Sequence, residues 1–96
     1  MKYDRQRLKE LILQFSYQKR EVKLASGRMS DFYFDGKQTT LHPEGAALVG
    51  QGMMDLIQGH FPEAGAVGGP TLGADPIATS VTVSYTHLTL PTILRV

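Results

Sequence analysis

Cysteine and tryptophan are missing from this sequence of 96 residues, and the lack of cysteine is the more informative absence. Without thiols the chain cannot have a disulfide framework, a cysteine-ligated zinc site or a thiol nucleophile. No apolar run approaches the roughly 20 residues of a membrane span, and the N-terminus has closely spaced charges instead of the apolar core of a secretory signal. We therefore expect a cytoplasmic location and no membrane partner.

Lysine and arginine are nearly absent from the last two thirds of the chain. Nine of the ten cations lie in residues 1–37, which carry a net charge of +4, whereas residues 38–94 contain four acidic residues and no Lys or Arg. A site that binds an anion through cationic side chains must therefore take them from the first third. The overall net charge of +1 argues against general binding of nucleic acid.

The first third of the chain is predicted to form a helix and a hairpin. Apolar residues at helical spacing predict an amphipathic helix over residues 3–17, and Lys19 and Arg20 suit the negative pole of its C-terminal end. Residues 21–24 and 32–36 then predict two strands joined by a tight turn at Ser26-Gly27-Arg28.

Two further helices and an intervening strand are predicted for the remainder. A broad apolar surface predicts a second helix from residue 43 to about residue 60, and a loop rich in Gly and Pro precedes a third helix from Ile77. Between them, residues 64–68 are apolar and uncharged, which is typical of a buried parallel strand. Helix, strand, glycine-rich loop and helix in this order indicate an α/β fold. The expected N-caps are Asp4, His42 and Asp75.

The loop of residues 68–75 (GGPTLGAD) is one candidate site, because it lies between a predicted strand and a predicted helix. Glycines leave backbone amides free near a helix N-terminus, where the amides can bind an anion. The loop matches neither the Walker A nor the GxGxxG pattern, and an ordinary strand-to-helix turn is the alternative.

A second candidate site lies in the predicted hairpin. Arg28 can donate two hydrogen bonds to a phosphate or a carboxylate, and the aromatic run Phe32-Tyr33-Phe34 offers a flat surface to a planar ring. The alternative is a plain hairpin in which Phe32 and Phe34 belong to the core around an exposed Tyr33. The spacing of histidines and carboxylates predicts no metal site, so no metal-ligating residue is assigned.

The last segment of the chain differs in character from the rest. From about Ser84 it has neither helical periodicity nor acidic or glycine residues, and Pro91 would interrupt a helix or a central strand. Residues 83–92 resemble a translated sequencing adapter. We therefore expect residues 84–96 to be a non-native tail.

Three motifs follow one another along the chain: residues 24–35 (LASGRMSDFYFD), 40–45 (TLHPEG) and 67–77 (VGGPTLGADPI). Together they resemble the N-terminal part of orotate phosphoribosyltransferases, over roughly residues 5–83. The resemblance implies a type I phosphoribosyltransferase fold, an α/β fold in which helices flank a parallel sheet. The N-terminal hood, a helix plus a hairpin, would span about residues 1–40. The first βα unit of the sheet, here truncated, would span about residues 41–83.

The resemblance also implies an activity: orotate is joined to the phosphoribosyl group of 5-phosphoribosyl 1-diphosphate, with Mg²⁺, and pyrophosphate leaves, which gives orotidine 5′-monophosphate in pyrimidine biosynthesis. It implies a homodimer for the full-length protein. Carried over by position, orotate would meet the hood, and a loop would receive pyrophosphate through its backbone amides. The implied orotate residues are Ser26, Gly27, Arg28, Tyr33 and Phe34, and the implied pyrophosphate-loop residues are Thr71, Leu72 and Gly73.

Departures from the family pattern predict an incomplete site. The family's ribose-phosphate motif, an acidic pair followed by a Thr/Gly-rich loop, is absent, and so is its flexible loop rich in Arg and Lys. Many relatives also have lysine where Ala25 stands and Tyr-Lys where Leu72-Gly73 stand. We therefore assign no catalytic residue to this fragment and expect it to be inactive and poorly stable. The alternatives are a small non-catalytic α/β module that binds an anion, and an interaction protein that uses the basic first helix.

Overall fold

A computed structural model describes the backbone of residues 3–93 and the side chains of residues 3–86. Within the described residues, one helix comes first, four consecutive two-residue strands follow it, and three further helices follow the strands. The helices are α1 (Arg5–Leu11), which continues as a π-helical turn (Ile12–Ser16), α2 (Lys37–Thr40), α3 (Pro43–His60) and α4 (Asp75–Ile93). The strands are β1 (Tyr17–Gln18), β2 (Val22–Lys23), β3 (Met29–Ser30) and β4 (Tyr33–Phe34).

The first helix begins where the sequence predicts. The Asp4 carboxylate accepts a hydrogen bond from the backbone amide of Arg7 at 3.0 Å, which satisfies one of the free amides of the first turn. Leu11 is 1% exposed and anchors α1 to the rest of the molecule. The π-helical turn ends at Ser16, and Tyr17 enters β1 with extended backbone.

Two separate antiparallel ladders replace the single predicted hairpin. In the first, Val22 pairs with Ser30 and Lys23 with Met29, and Gly27 makes the connecting turn with a φ of 88°, a conformation that glycine adopts without steric cost. This tight turn pairs β2 with β3 rather than with residues 32–36. The aromatic strand β4 therefore pairs with β1 instead, with Tyr17 opposite Phe34.

The helices α3 and α4 form the main packed unit. As predicted, α3 spans Pro43–His60 and is capped by His42, whose Nδ1 accepts from the amide of Gly45 at 3.2 Å. The buried apolar side chains between the elements are few, which leaves a modest core: Leu11, Leu48, Met54 and Val81. Within residues 3–93, no helix combines the length and the apolar character needed to cross a membrane.

The predicted parallel strand at residues 64–68 is not formed. Residues 61–73 are all exposed, and no ladder includes them among the described residues. A strand needs a partner for its amides and carbonyls, and the described part of the chain brings none to this segment. The segment instead forms one wall of an open groove of about 750 Å³, together with Met54, Ile57 and Val81. The radius of gyration, 15.9 Å, exceeds the ~13 Å of a compact domain of this size.

The expectation that Pro91 interrupts a helix is wrong, because α4 runs without a break from Asp75 to Ile93. Proline lacks the backbone N–H that donates within a helix. Because Pro91 lies in the last turn of α4, the helix loses only one hydrogen bond, near its end. The change of character at Ser84 is therefore not a boundary of secondary structure. The foreign origin of residues 84–96 stays a prediction, and residues 94–96 lie outside the described residues.

The side chains of Arg7 and Glu44 join α1 to the start of α3, and their ion pair makes folding depend on pH. Arg7 donates from Nε at 2.7 Å and from a terminal nitrogen at 2.8 Å, and these hydrogen bonds lower the pKa of Glu44 below its ordinary value of 4.5. A carboxyl whose pKa falls on folding stabilises the folded state above its unfolded-state pKa. This stabilisation disappears as the pH falls through the folded-state pKa.

We therefore expect Glu44→Gln to lower the urea midpoint of unfolding modestly at pH 7, since exposed ion pairs contribute little. The difference from the unsubstituted chain should vanish in acid. Glu63→Gln, at an exposed acid outside the ion pairs of the described residues, is the matched control. A deficit of Glu44→Gln that persists in acid would contradict a role for the ionised carboxylate.

Candidate functional site

The turn predicted to contact the base is an exposed loop between β2 and β3. The amide of Leu24 donates to the carbonyl of Arg28 at 2.8 Å, and the amide of Gly27 donates to the carbonyl of Leu24 at 2.9 Å. Ser26, Gly27 and Arg28 are exposed. The Arg28 guanidinium has no hydrogen bond or ion pair with any residue that the structure describes, so it is free to meet an anion.

The aromatic strand β4 presents its side chains to solvent. Tyr33 is 39% exposed and Phe34 53% exposed, and Phe32 stacks on Tyr17 with their ring centroids 5.9 Å apart. The alternative in which Phe32 and Phe34 belong to the core is therefore wrong. Tyr33 and Phe34 follow one another in β4 and therefore face opposite sides of the ladder, and an exposed aromatic ring on either side can stack on a planar ring.

Two contacts hold this strand in place against the helices. The hydroxyls of Ser16 and Thr39 form a buried hydrogen bond of 2.5 Å between the π-helical turn and α2, and the amide of Asp35 donates to the carbonyl of Ser16 at 2.9 Å. Nearby, Phe15 stacks on His42 with centroids 4.6 Å apart. Because β4 leads directly into α2, these contacts fix the position of Tyr33 and Phe34.

One contact on this surface was not expected from the sequence. The guanidinium of Arg20 lies over the ring of Tyr33, with its Cζ 4.8 Å from the centroid, and its Nε donates to Oε1 of Gln18 at 2.8 Å. The sequence suggested a helix-end role for Arg20. Instead, the helical segment ends at Ser16. Arg20 follows β1 in a bend, so no local pattern in the sequence indicated this contact.

The predicted pyrophosphate loop precedes α4 as a series of turns. The amide of Ala74 donates to the carbonyl of Pro70 at 3.0 Å, and the amide of Asp75 donates to that of Leu72 at 3.2 Å. Among the described residues, the amides of Thr71, Leu72 and Gly73 have no hydrogen-bond acceptor. The Leu72 side chain is 83% exposed, and the Thr71–Leu72 peptide bond is cis.

The two parts of the predicted site are not joined by specific contacts. No hydrogen bond, ion pair or ring contact between described residues links the turn at Arg28, the strand β4 and the loop at Thr71 to one another. The described side chains also contain no group of three His, Asp or Glu that could hold a metal ion.

The chain is similar in sequence to curated orotate phosphoribosyltransferases. No family model matches the chain. An orotate phosphoribosyltransferase of Nostoc sp. is 39% identical over 92 residues, which are 94% of this chain and 43% of the relative. The orotate phosphoribosyltransferase of Rhodopirellula baltica is 44% identical over 68 residues, or 67% of this chain and 35% of the relative.

Solved structures show the same relationship. The orotate phosphoribosyltransferase of Mycobacterium tuberculosis, in complex with Fe(III) dicitrate, superposes with a TM-score of 0.72 at 41% identity, over 78% of this chain and 44% of that one. A phosphoribosyltransferase from Corynebacterium diphtheriae superposes with a TM-score of 0.62 at 36% identity, over 79% of this chain and 40% of that one. The chain thus spans about two fifths of the length of its relatives, and it belongs to the orotate phosphoribosyltransferase family.

Proposed function

We propose that this chain is the base-binding and pyrophosphate-binding part of an enzyme that joins orotate to 5-phosphoribosyl 1-diphosphate. The observation that carries the proposal is the exposure of Tyr33 and Phe34 on a strand held against the helices. An aromatic surface of this kind suits a flat pyrimidine ring. Ser26, Gly27 and Arg28 would close over the ring from the neighbouring ladder.

The loop of Thr71, Leu72 and Gly73 would hold the pyrophosphate that leaves. Its amides have no acceptor among the described residues, and such amides stabilise negative charge without having to reorganise. A solved relative from M. tuberculosis is in complex with inorganic phosphate, which supports anion binding in the family. The charge that develops at the ribose would be balanced by the departing anion.

The remaining partners belong to the same proposal. Orotate and 5-phosphoribosyl 1-diphosphate are the small-molecule substrates, the cytoplasm is the compartment, and the full-length protein would be a homodimer. Mg²⁺ would arrive with the diphosphate, and no residue or step of this chain is assigned to it. Neither a nucleic acid nor a membrane is part of the proposed function.

A chimera tests the proposal. Residues 1–83 of this chain would replace the aligned part of the Nostoc relative, with which the chain shares 39% identity. We expect formation of orotidine 5′-monophosphate by the chimera and none by the 96-residue chain alone. A folded chimera that lacks activity, while the intact relative is active, would overturn the proposal. Turnover by the 96-residue chain would contradict its predicted inactivity.

The chimera also separates the enzyme from the non-catalytic anion-binding module. In the module, the 96-residue chain would bind phosphate by itself, and grafting residues 1–83 into the relative would abolish turnover. In the proposed enzyme, Tyr33→Ala in the chimera should raise the KM for orotate, because a stacking surface is lost. The control is Tyr3→Ala, at an aromatic residue outside the proposed site. An equal effect of both substitutions on KM would contradict stacking at Tyr33.

A further inference from the structure

The loop that carries Thr71, Leu72 and Gly73 is closed by a close contact between Gly69 and Ala74. A Cβ built on Gly69 would lie 2.7 Å from the Cβ of Ala74, whereas carbon atoms of two side chains pack at about 3.5–4.0 Å. A residue with a side chain therefore does not fit at position 69 unless the two ends of the loop move apart.

Backbone hydrogen bonds hold Ala74 on both sides. Its amide donates to the carbonyl of Pro70 at 3.0 Å, and its carbonyl accepts from the amide of Ala78 in the first turn of α4 at 2.9 Å. A shift of Ala74 away from Gly69 would strain both bonds. Gly69 does not have the positive φ that would itself favour glycine. The requirement for glycine at this position is therefore one of space, and the methyl group of Ala74 sets it.

The neighbouring glycines are not restricted in this way. A Cβ at Gly65, Gly68 or Gly73 would meet nothing within 4 Å, although all three lie in the same exposed segment. The close approach is therefore a particular property of Gly69 and does not extend to the rest of the glycine-rich loop.

We infer that Gly69 is a positioning residue for the pyrophosphate loop. Its contact with Ala74 keeps the loop narrow, so that the free amides of residues 71–73 can bind one anion together. The inference rests on the proposed function, because it takes these amides as the donors to pyrophosphate. A methyl group at position 69 would push the ends of the loop apart and spread the donors. Donors that are out of place stabilise the anion less.

The effect should be confined to the anion. Among the described residues, no hydrogen bond, ion pair or ring contact joins this loop to the aromatic strand β4. Widening the loop therefore leaves the proposed orotate surface in place. The KM for 5-phosphoribosyl 1-diphosphate and the Kd of pyrophosphate should rise, and the KM for orotate should not.

A double-mutant cycle in the chimera tests this inference. We expect Gly69→Ala to raise the KM for 5-phosphoribosyl 1-diphosphate and the calorimetric Kd of pyrophosphate about 10-fold, the scale of effect expected when a positioning contact is overpacked. Ala74→Gly removes the opposing methyl group. The double variant should therefore return both constants to within about 2-fold of those of Ala74→Gly alone. Backbone strain at position 69 would not be relieved by a change at Ala74, so the rescue separates the contact from a merely structural role.

Gly65→Ala is the matched control, because it adds the same methyl group to the same exposed segment outside the loop. It should change each constant by less than about 2-fold. Equal losses for Gly69→Ala and Gly65→Ala would overturn the inference, and so would an equal rise in the KM values for both substrates. If Gly69→Ala prevents folding, the double variant decides: recovery of folding and binding supports the contact, and failure to recover overturns it.

The same measurements distinguish failure of this inference from failure of the proposed function. If the unsubstituted chimera binds pyrophosphate and is active, but Gly69→Ala leaves both constants unchanged, the role of Gly69 is wrong and the proposed function stands. If the unsubstituted chimera folds but neither binds pyrophosphate nor forms product, the proposed function and the role of Gly69 are both wrong.

Discussion

Gly50→Ala is expected to lower the free energy of unfolding by about 2 kcal/mol, because α4 leaves no room for a methyl group at this position of α3. A Cβ at Gly50 would meet the carbonyl oxygen of Ser80, and it would lie 2.8 Å from both the Ser80 carbonyl carbon and the Ser84 Oγ. The carbonyl belongs to the backbone of α4 and cannot rotate away. The methyl group therefore fits only if the two helices move apart, and Leu48, Met54 and Val81 would lose packing.

Gly59→Ala on the same helix is the control. Nothing lies within 4 Å of the position that its Cβ would occupy, and alanine is favoured over glycine in a helix by roughly 0.5–1 kcal/mol. The two substitutions are chemically identical but should change stability in opposite directions. Urea unfolding followed by circular dichroism measures both. Stabilisation by Gly50→Ala would contradict the close contact between Gly50 and Ser80.

The sequence predicted elements whose determinants are local. Asp4 and His42 cap α1 and α3 as expected, because a cap depends only on a side chain and the amides of the following turn. The turn at Gly27 was also predicted, since glycine marks positions that require a positive φ. The motifs at residues 24–35 and 67–77 can be recognised in the sequence because they are short and contiguous, and their roles in binding stay predictions.

Apart from the expectation at Pro91, the failures involve partners that are distant along the chain. Residues 64–68 are apolar enough for a buried strand, but a strand also needs a neighbour, and the described residues provide none. The pairing of Tyr33 with Gln18 depends on where β1 begins. That start depends in turn on the π-helical turn, which periodicity does not reveal. The contact of Arg20 with Tyr33 follows from this pairing and was therefore not predictable either.

Gly73→Pro in the chimera is expected to lower turnover at least about 100-fold, the usual effect of removing one backbone donor from a site where negative charge develops. The substitution removes the amide N–H, and the Gly73 amide has no acceptor among the described residues. The substitution therefore removes no backbone hydrogen bond that the described structure contains. The whole effect should fall on the interaction with pyrophosphate.

Gly73→Ala is the comparison that isolates the amide. It keeps the N–H, and its Cβ would meet nothing within 4 Å, so it should lose far less turnover than the proline variant. Circular dichroism and urea unfolding of the two chimeras should agree, because neither substitution reaches the packed helices. The KM for 5-phosphoribosyl 1-diphosphate and the turnover number should report the loss, and the affinity for orotate should not. Equal losses from alanine and proline would show that the loop acts through its shape, and binding by the Gly73 amide would then be wrong.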